Sequence, residues 1–163
     1  MYDLSSYLNS DLSHFPPNPN HRLTQNPLIS HEVSSNNAGK LYLTLTLNAL
    51  IIEVLDNAAK EAWLKLLKNA VDIARQEGIQ KVLICSRSAN SMMDQEQINF
   101  VVNRLPIELC NAGVQYACIV PYNDEAGVVL TMQIAKAYNQ YLTTNHADSI
   151  KSGLQWLKDV TDY

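Results

Sequence analysis

The sequence predicts an α/β fold: a hairpin, then alternating strands and helices around a mixed, largely parallel sheet. Three observations predict it. "KLYLTLTL" alternates Leu41, Leu43, Leu45 and Leu47 against Tyr42, Thr44 and Thr46, the period-2 pattern of a half-buried strand. "EGIQKVLIC" and "AGVQYACIV" each run from a helix-ending glycine through a β-branched residue and a glutamine into a nearly unbroken apolar stretch. Such stretches mark strands covered on both faces, as in a parallel sheet between helices. Helical periodicity fills the gaps between strands, and that alternation implies layers joined by right-handed crossovers.

Taken in order, residues 1–39 form an extension rich in Asn, Ser and Pro. Leu4, Tyr7, Leu8, Leu12 and Phe15 fall on one stripe of a short amphipathic helix, which "FPPNPN" ends because proline cannot continue it. "NPLISHEVSS" adds an edge strand and "NNAGK" a turn. The α/β domain spans residues 40–163. Asn48-Ala49 turns the first strand into "LIIEVLD" as a hairpin. Asp56 or Asn57 can cap the next helix, whose stripe is Ala59, Trp63, Leu66, Ala70, Ile73 and Ala74, and Gly78 ends it. Asp94 with Gln97 reads as a capping box opening a helix through Ile98, Val101, Val102 and Leu105. Pro106 begins a separate short turn that ends at Gly113. Asn123 can cap a helix carrying Val129, Ile134 and Ala137. A short strand near "QYLTTN" and a helix with Ile150, Leu154 and Leu157 complete the chain.

Length and composition narrow the function. At 163 residues the chain is long enough to bury a core without staples. The net charge is −4, and the twelve basic residues are scattered, so nucleic acid and anionic membranes are not expected partners. No apolar run reaches the length of a membrane span, and "MYDLSSYLNSD" lacks the basic start and apolar middle of a signal peptide. Three cysteines without a CxxC pattern suit reduced thiols, hence a cytoplasmic location.

The polar passage "SRSANSMMDQEQ" leaves the strand 81–85 at its carboxyl end, where α/β folds place ligand sites. Ser86, Arg87, Ser88, Ser91 and Asp94 are therefore candidates for a binding or regulatory rim, joined by Tyr122, Asp124 and His146 from the following strand ends. Cys85 or Ser86 with His146 would make a hydrolase pair, but a nucleophile elbow needs the glycines of Gly-x-Ser-x-Gly, and "ICSRSA" has none. Phosphate is not expected at the helices opening with Asp94 and Asp124-Glu125, because those carboxylates already occupy the positive ends. Five glycines form neither GxGxxG nor a Walker loop. His14, His21 and His31 lack the close spacing of a metal site. No catalytic residue, cofactor or metal is assigned. Tyr116, Tyr122, Tyr138, Tyr141 and Trp156 could line an apolar pocket, and "GVVLTMQIAKAY" is apolar around more than one face, as deep burial or a subunit interface requires.

Three stretches, "LICSRSANSMMDQEQ", "DQEQINFVVNRLPIELCNAGVQYACIVP" and "ADSIKSGLQWLKDV", together with the order of elements over residues 40–160, resemble the SpoIIAA-like group, which includes the STAS (sulphate-transporter and anti-sigma-factor-antagonist) domains. The resemblance implies a non-catalytic regulatory module that works by protein contact, as a homodimer or with another protein. Antagonist members carry a phosphorylatable serine directly after an aspartate; here Gln95 follows Asp94, leaving Ser86, Ser88 and Ser91 as the nearby hydroxyls. The alternative is a binder of a small apolar or lipid-like ligand between sheet and helices, and the third reading is the hydrolase.

Overall fold

The computed structural model describes residues 31–44, 46–86, 93–121 and 125–160. The predicted N-terminal stripe, Leu45 and the Asn123 cap lie outside these residues. Six strands form one mixed sheet in the order of the sequence: β1 (His31–Asn36), β2 (Gly39–Leu43), β3 (Ala49–Val54), β4 (Lys81–Cys85), β5 (Tyr116–Val120) and β6 (Thr143–His146). The first three are antiparallel and the rest parallel.

The hairpins are set by short polar side chains. Asn36 Oδ1 accepts from the N–H groups of Ala38 (2.8 Å) and Gly39 (3.3 Å), closing the β1–β2 turn. At Gly39 the strands come so near that a Cβ would lie 1.9 Å from the Glu53 carbonyl oxygen. The sheet thus begins at His31, within the extension 1–39, where "NPLISHEVSS" was expected to add an edge strand. β2 is shorter than its alternating pattern predicts. Thr44 ends it: its N–H donates to Ala49 O at 3.0 Å, and its Oγ1 receives the Ala49 N–H at 3.0 Å. Asn48 then takes a positive φ of 51°. The chain turns over, so Leu47 packs with Tyr42 rather than with Leu41, and Ala49 is the first residue of β3, not part of a turn.

Each parallel strand is followed by a crossover or, last, a closing helix. α1 (Lys60–Glu77) links β3 to β4 and ends at Gly78, φ 64°, whose N–H donates to Ala74 O. Its N-cap is Ala59 without a side-chain cap; Asp56 instead accepts from Ala58 N–H at 2.8 Å within the preceding turn. Between β4 and β5 run α2 (Gln95–Asn99), a π turn (Phe100–Arg104) and α3 (Leu105–Asn111). Pro106 was expected to start a separate turn, yet helix continues through it. The wider π turn makes this possible: Leu105 N–H reaches back to Phe100 O, and the ring that would clash in a regular helix sits at the first turn of α3. α4 (Glu125–Tyr138) links β5 to β6, and α5 (Ile150–Asp159) follows β6, capped by Ser149 and Ser152.

The strand order β3-β4-β5-β6 advances in one direction, so right-handed crossovers put every linking helix on the same face. Buried residues of α1, α2–α3 and α4 accordingly share one core with Leu50, Ile52, Val82, Ile84, Ala117 and Ile119. This is the front. Behind the sheet, α5 sets Ile150, Leu154 and Leu157 against β4 and β5, in one apolar cluster with Ile51, Leu83 and Cys118. The nearly unbroken apolar runs of β4 and β5 are thereby covered on both faces.

Candidate functional site

The carboxyl rim is built by loops that hold one another. Asp94 caps α2 by accepting the Gln97 N–H at 2.9 Å, and Gln97 Oε1 accepts the Asp94 N–H at 3.0 Å, the predicted capping box. Gln97, buried, also donates Nε2–H to Asn57 O at 2.7 Å, tying α2 to the loop between β3 and α1. The Lys60 ammonium, at the start of α1, pairs with the Asp94 carboxylate. That ammonium, together with the Gln97 N–H, holds the Asp94 carboxyl below its usual range, and Asp94 raises Lys60 in return. Asp94 is therefore an ionised structural acceptor with its bonds committed. Sequence reasoning did not find Lys60 or Asn57 here, since each meets its partner only through tertiary contact.

Ser86 directly follows β4, half-buried, its N–H donating to Val120 O at 3.2 Å. Arg87, Ser88, Ser91, Tyr122 and Asp124 lie outside the described residues. His146 is exposed at the end of β6. It pairs in register with Ile119 of the front core, whereas Cys85 belongs to the back cluster with Val120, so the thiol and the imidazole stand on opposite faces. Ser86 lines a front-face cavity, but β5 lies between β4 and β6, a separation of about 10 Å between their backbones. Because all crossover helices share one face, the carboxyl edge has no crevice between oppositely wound helices. Among the described residues, no group of three or more His, Cys, Asp or Glu could hold a metal ion, and no helix is long and apolar enough to cross a membrane.

The C-terminal aromatics do not share one pocket. Tyr116 and Trp156 pack behind the sheet, Tyr138 is buried in front, Tyr141 is exposed, and Tyr122 lies outside the described residues. Tyr138 does line a cavity of about 30 Å³ with Thr131, Ser86 and Asn57 among apolar neighbours. Its hydroxyl has no hydrogen-bond partner among the described residues, and burial pushes the phenol pKa well up, so it remains a neutral donor. A space of that size holds a water-sized group.

The other unusual surface is the outside of α4. Its inner face buries Leu130, Thr131, Ile134, Ala135 and Tyr138. On the outside Val128, Val129 and Met132 are 39%, 56% and 52% exposed, and Tyr141 just beyond is 44% exposed. Of the residues expected on this helix, Ile134 is buried and Val129 points out, in keeping with a segment apolar around more than one face. The edge strand beside it is guarded. Thr143 and Ala147 turn their N–H groups to β5 (2.9 and 3.0 Å), so that of Thr144 faces the open edge, and Asn139 Oδ1 accepts it at 2.9 Å.

Compared with models of known protein families the chain gives no match, and compared with curated proteins it also gives none.

Proposed function

We propose that this chain is a SpoIIAA/STAS-like, cytoplasmic regulatory module that acts by protein contact, with the outer face of α4 as its contact surface and a second copy as the first partner to test. The observation that carries this reading is the ridge of Val128, Val129 and Met132, apolar side chains clustered on a helix whose core-facing side is already filled. Asn139, by closing the β6 edge, favours a side-chain contact over strand addition. The hairpin followed by β-α units and a closing helix supports the family resemblance at the level of architecture.

Light scattering on the eluting full-length protein across a concentration series tests it. A dimer is expected that becomes a monomer when Val129→Lys and Met132→Lys are combined, with the circular dichroism spectrum unchanged. A parent protein that stays monomeric throughout would remove self-association, and a dimer indifferent to both substitutions would remove α4.

A second reading, a small-ligand binder, draws on the unpartnered Tyr138 hydroxyl beside its cavity. At about 30 Å³ that cavity suits a small neutral group rather than a lipid chain. The hydrolase reading gains no support from Cys85 and His146 on opposite faces of the sheet.

A further inference from the structure

A groove of about 540 Å³ runs between α1 and the helix formed by α2 and the π turn. Two stripes make its walls: Lys60, Leu64 and Lys68 on α1, and Glu96, Phe100 and Arg104 opposite, each set spaced by four. The stripes run in the same direction. Lys60 pairs with Asp94 at one end, and farther along the Trp63 and Phe100 rings meet edge to face at 5.7 Å. Trp63, Leu64 and Phe100 thus give the groove an apolar floor. Its ends differ. At the first, Lys60 is committed to Asp94 and Glu96 stands on the wall, so that end does not attract an anion. At the second, Lys68 pairs with no carboxylate among the described residues, and Arg104 pairs there only with Glu108, at 3.5 Å. The Arg104 guanidinium lies 5.6 Å from the Phe100 ring centroid, and its planar fork keeps donors to spare. Asn103 adds an amide to the lining. Phe100, Asn103 and Arg104 all belong to the π turn, an irregularity that recurs at functional sites.

We propose that this groove binds a small organic monoanion, its carboxylate held by Lys68 and Arg104 and its flat apolar body laid on Leu64, Trp63 and Phe100. Charge selects the class. Two cations against the one carboxylate of Glu108 leave a single positive charge at that end, which matches a carboxylate. A phosphate dianion would meet repulsion from Glu108 and Glu96 that a second cation does not offset. Size selects a small molecule. Lys60 to Lys68 covers about 12 Å of helix, and the volume falls in the ordinary range of small-ligand pockets. The groove shares no residue with the α4 contact, so either can fail without the other.

Titration of the isotope-labelled, full-length protein with naphthoate, followed by amide NMR shifts, tests the site. Saturating shifts are expected at Leu64, Lys68, Asn103 and Arg104. Arg104→Gln and, separately, Lys68→Gln should each weaken binding roughly tenfold or more, the effect of losing one charge-assisted hydrogen bond. Lys68 sits on a regular, exposed turn of α1, so its variant decides the matter even if Arg104→Gln disturbs the π turn. Naphthamide, of the same shape without the charge, should also bind roughly tenfold more weakly. No shift at these amides up to about 10 mM naphthoate would overturn the proposal, as would shifts confined to α4. So would naphthamide binding as well as naphthoate, or both variants binding like the parent. An acidic peptide such as tetraglutamate binding the same amides more tightly than naphthoate would overturn it in favour of a protein partner.

Discussion

α1 and α4 do the same topological work and present opposite exteriors. Both are crossover helices between adjacent parallel strands, and both fill their inner faces: Trp63, Leu66, Leu67 and Ala70 on α1, Leu130, Ile134 and Tyr138 on α4. Outside, α1 shows Lys60, Glu61, Lys65, Lys68, Asp72 and Arg75, whereas α4 shows Val128, Val129 and Met132 beside Glu125, Gln133 and Lys136. The fold demands only that the inner face be apolar. The charged exterior of α1 is what a solvated helix carries, and the apolar part of the α4 exterior is the feature on which the proposed contact rests.

The comparison can be broken most forcefully from the inside. Trp63→Ala should lower stability by about 3–5 kcal/mol and Leu130→Ala by about 2–5 kcal/mol, since each leaves a cavity against the sheet. Urea unfolding measures both; a loss under about 1 kcal/mol at Leu130 would mean that α4 is a loosely attached helix rather than the equal of α1. Tyr138→Phe, on the inner face of α4, should be neutral or raise stability by about 1 kcal/mol, because it removes a buried hydroxyl that no described group satisfies. A clear loss would show that the hydroxyl bonds to something in its cavity.

Substitutions on the exteriors sharpen the contrast with smaller energies. Val129→Lys with Met132→Lys should change unfolding free energy by no more than about 0.5 kcal/mol while abolishing association. Lys65→Ser with Lys68→Ser on α1 should disturb neither, and sedimentation of the two double variants side by side would reveal any role for α1. The weakest effect is electrostatic and, of the two helices compared, involves only α1, through the pair of Lys60 with Asp94 at the cap of α2. Asp94 titrates below its usual range when folded, so its contribution is complete above the ordinary carboxyl value and fades as pH falls through the depressed one. Lys60, raised by Asp94, contributes fully below its ordinary value and loses that contribution as alkaline pH passes the raised one. Thermal unfolding against pH should therefore show a small acid loss that Asp94→Asn flattens. An unchanged acid limb would show that the pair contributes nothing to folding.

What could be read from the chain divides along the range of the interactions. The Asp94–Gln97 box and the Gly78 terminus were legible because each is made within one helical turn. The buried strands were legible because coverage on both faces leaves an unbroken apolar run. The Lys60–Asp94 pair and the bond from Gln97 to Asn57 O were not, since the partners are distant in sequence and meet only when α1 and α2 pack. Leu47 was assigned to the wrong face because period 2 holds only while the strand lasts, and Thr44 ends it.

The sequence alone determined the class of fold, the order of its elements and the local devices that start and stop them, because propensity, capping and periodicity act between near neighbours. Only the tertiary structure decided which face of each element looks inward. It set Cys85 and His146 on opposite sides of the sheet and turned Val129 and Met132 outward. The reason is physical: an apolar side chain favours burial of any kind, and which burial it finds depends on strand order and crossover hand, which act on the whole sheet at once.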